Sequence, residues 1–440
     1  PVDCGPVTLC LPQDVQAEAW DYPESFFARR VHRQRRPQAD AYELEQALQA
    51  LRAARKPLLI AGGGVHYSGA CELLAQFARQ HGIPVAETQA GKGALNWRHP
   101  QLLGGVGVTG SDAANRLAAE ADLVLAVGTR LADFTTGSRS LFGNPELKLL
   151  SLNIGSFDGH KHAAQPLVCD AQVGLTALSL GLADWQAPSV WQALANEQIE
   201  HWNALVDQVT ARVDSALPND AQVLGCVNRA AGEKSVVVCA AGGLPGELQK
   251  LWRTEQPGGY HLEYGFSCMG YEVAGGLGVK MARPERDVFV MVGDGSYLML
   301  NSELATSVML GHKITVVLLD NRGFACINRL QQACGGAPFN NLLQDSLQGP
   351  GGAPDIDFAA HAAALGAASR KVASLEELEQ ALEWAAEQTR SCVLVIDTDP
   401  MPKTQAGGCW WDVPVPERSE RPQVLQAYQN YREQKRQQRI

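Results

Sequence analysis

The residues best equipped for chemistry lie in one stretch, residues 293–323, reading GDGSYLMLNSELATSVMLGHKITVVLLDNRG. Asp294 offers a carboxylate and Asn321 an amide oxygen, with backbone carbonyls close by. A hard, oxygen-only set of this kind suits Mg²⁺. The flanking glycines let backbone N–H groups approach a diphosphate, and a helix beginning near Ser296 would aim its positive end the same way. The order around them is informative. An apolar run at 287–292 (DVFVMV) feeds GDGS, a helical segment follows, and a second apolar run at 314–319 (ITVVLL) ends in Asp320-Asn321-Arg322-Gly323. Strand, loop, helix, strand, loop predicts two loops at the C-terminal edge of one parallel sheet, where such folds hold ligands. Asp-Gly alone is ordinary turn chemistry. The Asn-x-Gly after the next strand is what gives it weight.

Two other stretches should reach the same place. A strand over 235–240 (SVVVCA) runs into Gly242-Gly243-Leu244, whose N–H groups can form a second wall of an anion site. Ser267-Cys268-Met269-Gly270 precedes a small-residue helix over 272–282, and just before it stand His261, Glu263 and Tyr264. These three are either substrate contacts or a strand end that hydrogen-bonds within the fold. A further triplet, Gly62-Gly63-Gly64, follows a strand at 57–60 but does not complete GxGxxG, because Tyr67 stands where the third glycine belongs. It reads as a tight strand-to-helix turn, so neither NAD nor another nucleotide is expected there.

GDG followed by Asn321 resembles the cofactor motif of the thiamine diphosphate-dependent enzymes, with Asp320 in place of the first asparagine of the usual pair. The resemblance implies that Asp294, Asn321 and the Gly323 carbonyl bind Mg²⁺, which grips the diphosphate beside Gly295 and Ser296. It implies that Met269 is the apolar wedge beneath the cofactor and that the Ser267 carbonyl accepts from its exocyclic amine. It also implies an activating glutamate in an N-terminal pyrimidine-binding domain, of which residues 2 to about 14 look like the last strand. No stretch here matches that glutamate's surroundings. The expectation is therefore a chain with no assigned catalytic residue, holding half of each site and inactive alone. Five stretches, 240–252, 260–282, 293–311, 321–331 and 406–415, are most similar to the branch that opens a polyhydroxylated cyclic 1,2-dione by hydrolysis in myo-inositol catabolism. An acetolactate synthase-like decarboxylase or carboligase is the runner-up, and a non-catalytic cofactor-binding protein is the alternative of another class.

Positioning these residues calls for an α/β chain of two doubly wound parallel-sheet domains. The divisions expected are a remnant and linker over 1–36, a middle domain over 37–182, a helical connection over 183–218, a diphosphate-binding domain over 219–400 and a tail over 401–440. A short strand is predicted at 7–11 (VTLCL), and a long Gly- and Pro-rich loop at 335–352, whose 335–341 part is a further candidate for substrate contact. Trp410 and Trp411 form either a docking anchor or a lid. With 45% hydrophobic and 19% charged residues, the 440-residue chain has an ordinary globular composition. Its net charge of −10 argues against nucleic acid, and no apolar run is long enough to cross a membrane. Eleven cysteines without a CxxC pair suggest reduced thiols and a cytoplasmic enzyme, and the family resemblance implies at least a homodimer.

Overall fold

The computed structural model describes residues 7–33, 35–213, 217–263, 265–346 and 355–438. Two all-parallel sheets of six strands each dominate it. The first contains β1 (Pro57–Ala61), β2 (Val85–Glu87), β3 (Leu102–Gly105), β4 (Leu123–Val127), β5 (Lys148–Asn153) and β6 (Gln165–Val168). The second contains β7 (Ser235–Cys239), β8 (Tyr260–Leu262), β9 (Asp287–Gly293), β10 (Thr315–Asp320), β11 (Ala368–Val372) and β12 (Cys392–Asp397). Helices cover both faces, so the central strands are apolar throughout: PLLIA, LVLAV and SVVVC are buried at every position.

The strand orders explain where a ligand can sit. In the second sheet the order is β11-β12-β10-β9-β7-β8. The chain leaves β7 toward β8 on one side and leaves β9 toward β10 on the other, which opens a crevice between the loops after β7 and β9. In the first sheet, β3-β2-β1-β4-β5-β6, the equivalent loops follow β1 and β4. There Gly62 and Gly64 pack directly on Gly128, where an added Cβ at Gly62 would lie 2.4 Å from the Gly128 carbonyl oxygen. The glycine triplet serves close packing of two turns.

Helix starts follow local capping chemistry. Asp40, Ser111, Asp170 and Ser374 each accept N–H bonds from the first turn they precede, and Asn219 with Gln222 forms a reciprocal capping box at Asp220–Ala230. The helix expected near Ser296 begins at Asp294, directly after β9.

One expectation fails outright. Residues 7–11 form no strand: the chain there is extended and open, with Val7 85%, Leu9 83% and Leu11 71% exposed, and a short helix, Gln13–Gln16, follows. Its apolar pattern is real, but no strand among the described residues lies beside it to complete the ladder. The sequence carries little signal for β3, β6, β8 and β11. They are short or carry Gly, Pro or charged residues (LLGG, QPLV, YHL, ASRKV), so neither period nor propensity marks them.

The two sheets share a core. One hydrophobic cluster runs from Leu58, Ile60 and Val124 of the first sheet through Trp191 and Trp202 of the helix Ser189–Val209 to Val237, Val317 and Leu394 of the second. Polar bonds cross the same boundary. Gln249, 1% exposed, donates to the carbonyls of Glu87 and Val106 at 3.4 Å. The Tyr260 hydroxyl donates to Gln89 Oε1 at 2.8 Å, and buried Lys92 donates to the Gln249 carbonyl at 3.0 Å.

Candidate cofactor site

β9 and β10 are in register, Leu319 opposite Gly293, so the next residues, Asp320 and Asp294, face one another as the strands end. Asp294 is 4% exposed. Its Oδ2 accepts the Gly323 N–H at 2.8 Å, which folds the loop after β10 back over the loop after β9. Its Oδ1 is buried without a partner, and so is Oδ1 of Asn321. Burial is the main reason the Asp294 carboxyl is pushed up to about 7, with the Asp320 charge adding to it and the N–H groups of Gly323, Asn321 and Gly295 opposing. Leaving buried oxygens unpartnered costs stability. A hard divalent cation would satisfy both at once, so the donor set fits Mg²⁺. The described residues contain no cluster of three His, Cys, Asp or Glu side chains able to hold a metal. The set here is instead one carboxylate, one amide and a backbone carbonyl.

Gly323 earns its place by geometry. Its φ is +144°, and a Cβ would lie 2.4 Å from the Asn341 carbonyl oxygen, because residues 341–342 pair with this turn. The end of the 335–341 stretch therefore packs beside the loop after β10, with Phe324 N–H donating to the Asn341 carbonyl at 2.7 Å. The loop expected at 335–352 is interrupted by a short helix, Leu343–Ser346, and its residues 347–352 lie outside the described residues.

Across the crevice, Gly242 has a φ of +81° with open space where a side chain would be. Gly243 caps the helix Leu244–Leu251, which puts the helix N-terminus at the switch point. An added Cβ on Gly243 would lie 2.6 Å from Nη2 of Arg329, a guanidinium held by the Pro400 carbonyl. Between these walls, Ser267 has a φ of +50° and Gly270 one of +88°, so the backbone kinks twice around Met269, which stays 36% exposed. An added Cβ on Gly295 would lie 2.7 Å from Cε1 of the Phe324 ring, and Ser296 is buried. The structure thus gathers Gly242, Gly243, Leu244, Ser267, Met269, Asp294, Gly295, Ser296, Asn321 and Gly323 on loops and helix starts at one sheet edge.

The proposed substrate residues have internal partners. His261 Nε2 is 2.6 Å from the Tyr271 hydroxyl, the two rings are stacked, and burial holds the imidazole below its usual range. Glu263 accepts from Phe266 N–H at 3.3 Å and Cys268 N–H at 2.6 Å, shaping the loop that leads to Met269. Tyr264 lies outside the described residues.

Two groups stand at the crevice without a role read from the sequence, Asp320 at the motif's replaced asparagine and Glu272. Asp320, 6% exposed, faces Asp294 and accepts the Arg322 N–H at 3.0 Å. Glu272, 1% exposed, sits in the first turn of the helix Tyr271–Ala282, and burial raises its carboxyl. An acidic residue opening an otherwise small and apolar helix was the available signal.

The paired tryptophans dock on the first sheet's side of the molecule. Trp411 Nε1 donates to Asp133 Oδ2 at 3.0 Å and its ring meets Phe134 edge-on, while Trp410 packs on Tyr431 of the helix Pro422–Lys435.

Comparison with known proteins agrees with this geometry. Residues 44–178 match the thiamine pyrophosphate enzyme central domain, and residues 240–396 match the C-terminal TPP binding domain of the same enzymes. The chain is 42% identical to a 3D-(3,5/4)-trihydroxycyclohexane-1,2-dione hydrolase of Geobacillus thermodenitrificans, over 98% of this chain and 71% of that protein. It is 44% identical to hydrolases of the same name from Bacillus anthracis and Bacillus cereus, with the same coverage.

Proposed function

The chain belongs to the thiamine pyrophosphate enzymes, and on that premise we propose that it binds thiamine diphosphate through Mg²⁺ and opens a polyhydroxylated cyclic 1,2-dione by hydrolysis. The observation that carries the cofactor reading is the pair of buried, unpartnered oxygens on Asp294 and Asn321 at the switch-point edge. The substrate reading rests on the 42–44% identity to the dione hydrolases along nearly the whole chain.

Asp294, Asn321 and the Gly323 carbonyl hold the metal. The N–H groups of Gly242, Gly243, Leu244, Gly295 and Ser296 receive the diphosphate, helped by the helix N-terminus behind Gly243. Met269 supports the cofactor from below, and the Ser267 carbonyl accepts a hydrogen bond from its amine. Bound there, the cofactor supplies an electron sink for the pair released when a C–C bond breaks. The reaction adds one water across the bond between the two carbonyl carbons. The carbon that takes the hydroxyl ends as a carboxylic acid and the carbon that takes the hydrogen ends as an aldehyde, giving 5-deoxy-glucuronate. His261, Glu263 and Tyr264 are the candidates for contact with the polyol ring, and the bonds of His261 to Tyr271 and of Glu263 to Cys268 favour for those two the alternative of a strand end bonded within the fold.

The exposed apolar side chains Phe266, Leu298, Met299, Phe324 and Ile327 lie near these loops, and such a patch supports a homodimer or homotetramer formed over the site. Free thiols at all ten described cysteines support a cytoplasmic setting for this step of myo-inositol catabolism. No helix of the described residues is long and apolar enough to cross a membrane.

Product analysis on the intact enzyme tests the reading. The expected outcome is a ring-opened acid from the dione without release of carbon dioxide. Carbon dioxide from a 2-oxo acid, with the dione untouched, identifies a carboligase instead. Binding of thiamine diphosphate without turnover of either substrate class leaves a non-catalytic binding protein.

A further inference from the structure

Glu272 is a buried carboxylate at the crevice that the roles above leave unused. Its Oε1 accepts the Ala241 N–H at 3.2 Å, and its Oε2 accepts the Gly270 N–H at 3.1 Å. The Ser296 hydroxyl lies 2.8 Å from both oxygens, and Ser296 Oγ accepts the Gly270 N–H at 2.8 Å in turn. These donors come from three segments far apart in sequence, each abutting or belonging to the proposed cradle. Ala241 precedes the Gly242–Gly243 turn, Gly270 follows Met269, and Ser296 closes GDGS. Every one of these partners donates, so the side chain works as an acceptor at both oxygens. Two backbone N–H groups, a hydroxyl and the first turn of its own helix hold its charge.

The segments need such a clamp. Gly270 sits at a φ of +88°, and a Cβ there would approach Leu300 to 3.0 Å. The backbone presenting Met269 is thus in a conformation that its surroundings must fix. Ala241 and Ser296 lie on opposite walls of the crevice, after β7 and after β9, and Glu272 is bonded to both.

We infer that Glu272 is a positioning residue that locks the diphosphate turn, the Met269 turn and the GDGS segment into one arrangement before the cofactor binds. The inference rests on the thiamine diphosphate reading above. A preformed cradle lowers the ordering cost of binding, so loosening it should appear as lost cofactor affinity. In Glu272→Gln the shape is kept, but an NH₂ replaces one acceptor and must face either an N–H or the hydroxyl.

Two measurements on the full chain decide the matter. One is a tryptophan-fluorescence titration with thiamine diphosphate at saturating Mg²⁺. The other is hydrogen exchange of the unliganded chain, read on the segments around 240–244 and 268–271 and on β10. The expected result for Glu272→Gln is at least a tenfold rise in the dissociation constant, with faster exchange in the two loop segments and unchanged protection of β10. Ser296→Ala, which removes one donor and keeps the other two, should shift both readouts in the same direction by less. Equal affinity in the unaltered chain and both variants overturns the inference while leaving the cofactor reading intact. Faster exchange at β10 together with the loops also overturns it, because the role would then be general stability. Absence of binding by the unaltered chain overturns the cofactor reading and this inference with it.

Discussion

As the proposed metal ligands, Asp294 and Asn321 would give up stability in order to bind. Their Oδ1 atoms are buried without partners, and Asp294 also faces the carboxylate of Asp320. Replacing Asp294 by asparagine removes a buried charge and keeps an oxygen to accept the Gly323 N–H. The metal-free variant should therefore be more stable than the parent by about 1 kcal/mol. The same change should weaken Mg²⁺-dependent thiamine diphosphate binding by at least about 100-fold, beyond the ~10–100-fold typical of a ligand's outer partners. Thermal melts and titrations of the pair check both signs; unchanged cofactor affinity would remove Asp294 from the metal set. Asp220, in the first turn of Asp220–Ala230, carries a pH signature of its own. Burial pushes its carboxyl up from 3.8 to about 7, with Arg329 opposing. Between those values the folded chain holds a proton that the unfolded chain has released, so this group makes stability fall as pH rises from about 4 to about 7. The fall should be on the order of a few kcal/mol, at about 1.4 kcal/mol per unit. In Asp220→Asn that component should vanish, and urea midpoints at pH 5 and pH 8 should differ less than in the parent.

At the level of elements, the C-terminal segment poses a choice between anchor and lid. Lys250 Nζ donates to the carbonyls of Thr404 and Ala406, Gly408 N–H donates to the Gly110 carbonyl, and Asp412 N–H donates to Ser138 Oγ. Trp411 completes the contact with Phe134 and Asp133. Lys250 belongs to the end of the helix Leu244–Leu251 far from its Gly243 cap, and the other partners belong to the loops after β3 and β4. Trp411→Ala should therefore lower stability by roughly 1–2 kcal/mol, from a lost ring contact and hydrogen bond, and speed proteolysis after residue 400. Cofactor affinity should stay unchanged. A fall in affinity with little change in the melting temperature would mark the segment as a lid. Most elements around the site were legible in sequence, because long apolar runs such as 235–240 and 314–319 announce strands buried on both faces. The loops after β9 and β10 were legible because Gly-Asp-Gly-Ser and Asp-Asn-Arg-Gly directly follow apolar runs. The role of Glu272 was not, nor was the opposition of Asp320 to Asp294, since both come from facing residues that only the fold brings near. The apolar run at 7–11 misled for the opposite reason: pattern marks a strand, and only a neighbour makes one.

For the whole molecule, the question is whether two sheets that read as separate domains behave as one body. The residue runs flanking 183–218 suggested two units joined by a helical connection. In the structure that connection is part of the core: Trp191 and Trp202 lie 3% and 5% exposed within a cluster containing side chains of both sheets. Gln249 stitches the boundary. It accepts the Thr109 hydroxyl, donates to the Glu87 and Val106 carbonyls, and packs on Gly105, where a Cβ would lie 2.6 Å from its Cγ. Trp97 Nε1 and Arg98 both donate to Glu255, adding charge-assisted bonds at the rim. Removing the Gln249 amide leaves buried acceptors and a hydroxyl without their partner, a loss of about 1–3 kcal/mol. Because the cluster and the bonds are shared, that loss should be felt by both sheets. Gln249→Ala should lower the melting temperature of a single calorimetric transition, with calorimetric and van't Hoff enthalpies still agreeing. Two resolved transitions in the parent chain, or a mutation that moves one sheet's hydrogen-exchange protection and leaves the other's, would mean that the sheets are independent. Cooperative unfolding has a consequence for the site as well. A crevice formed at one sheet's edge would then draw its rigidity from both sheets, so Gln249→Ala should also weaken cofactor binding slightly, in proportion to its effect on stability.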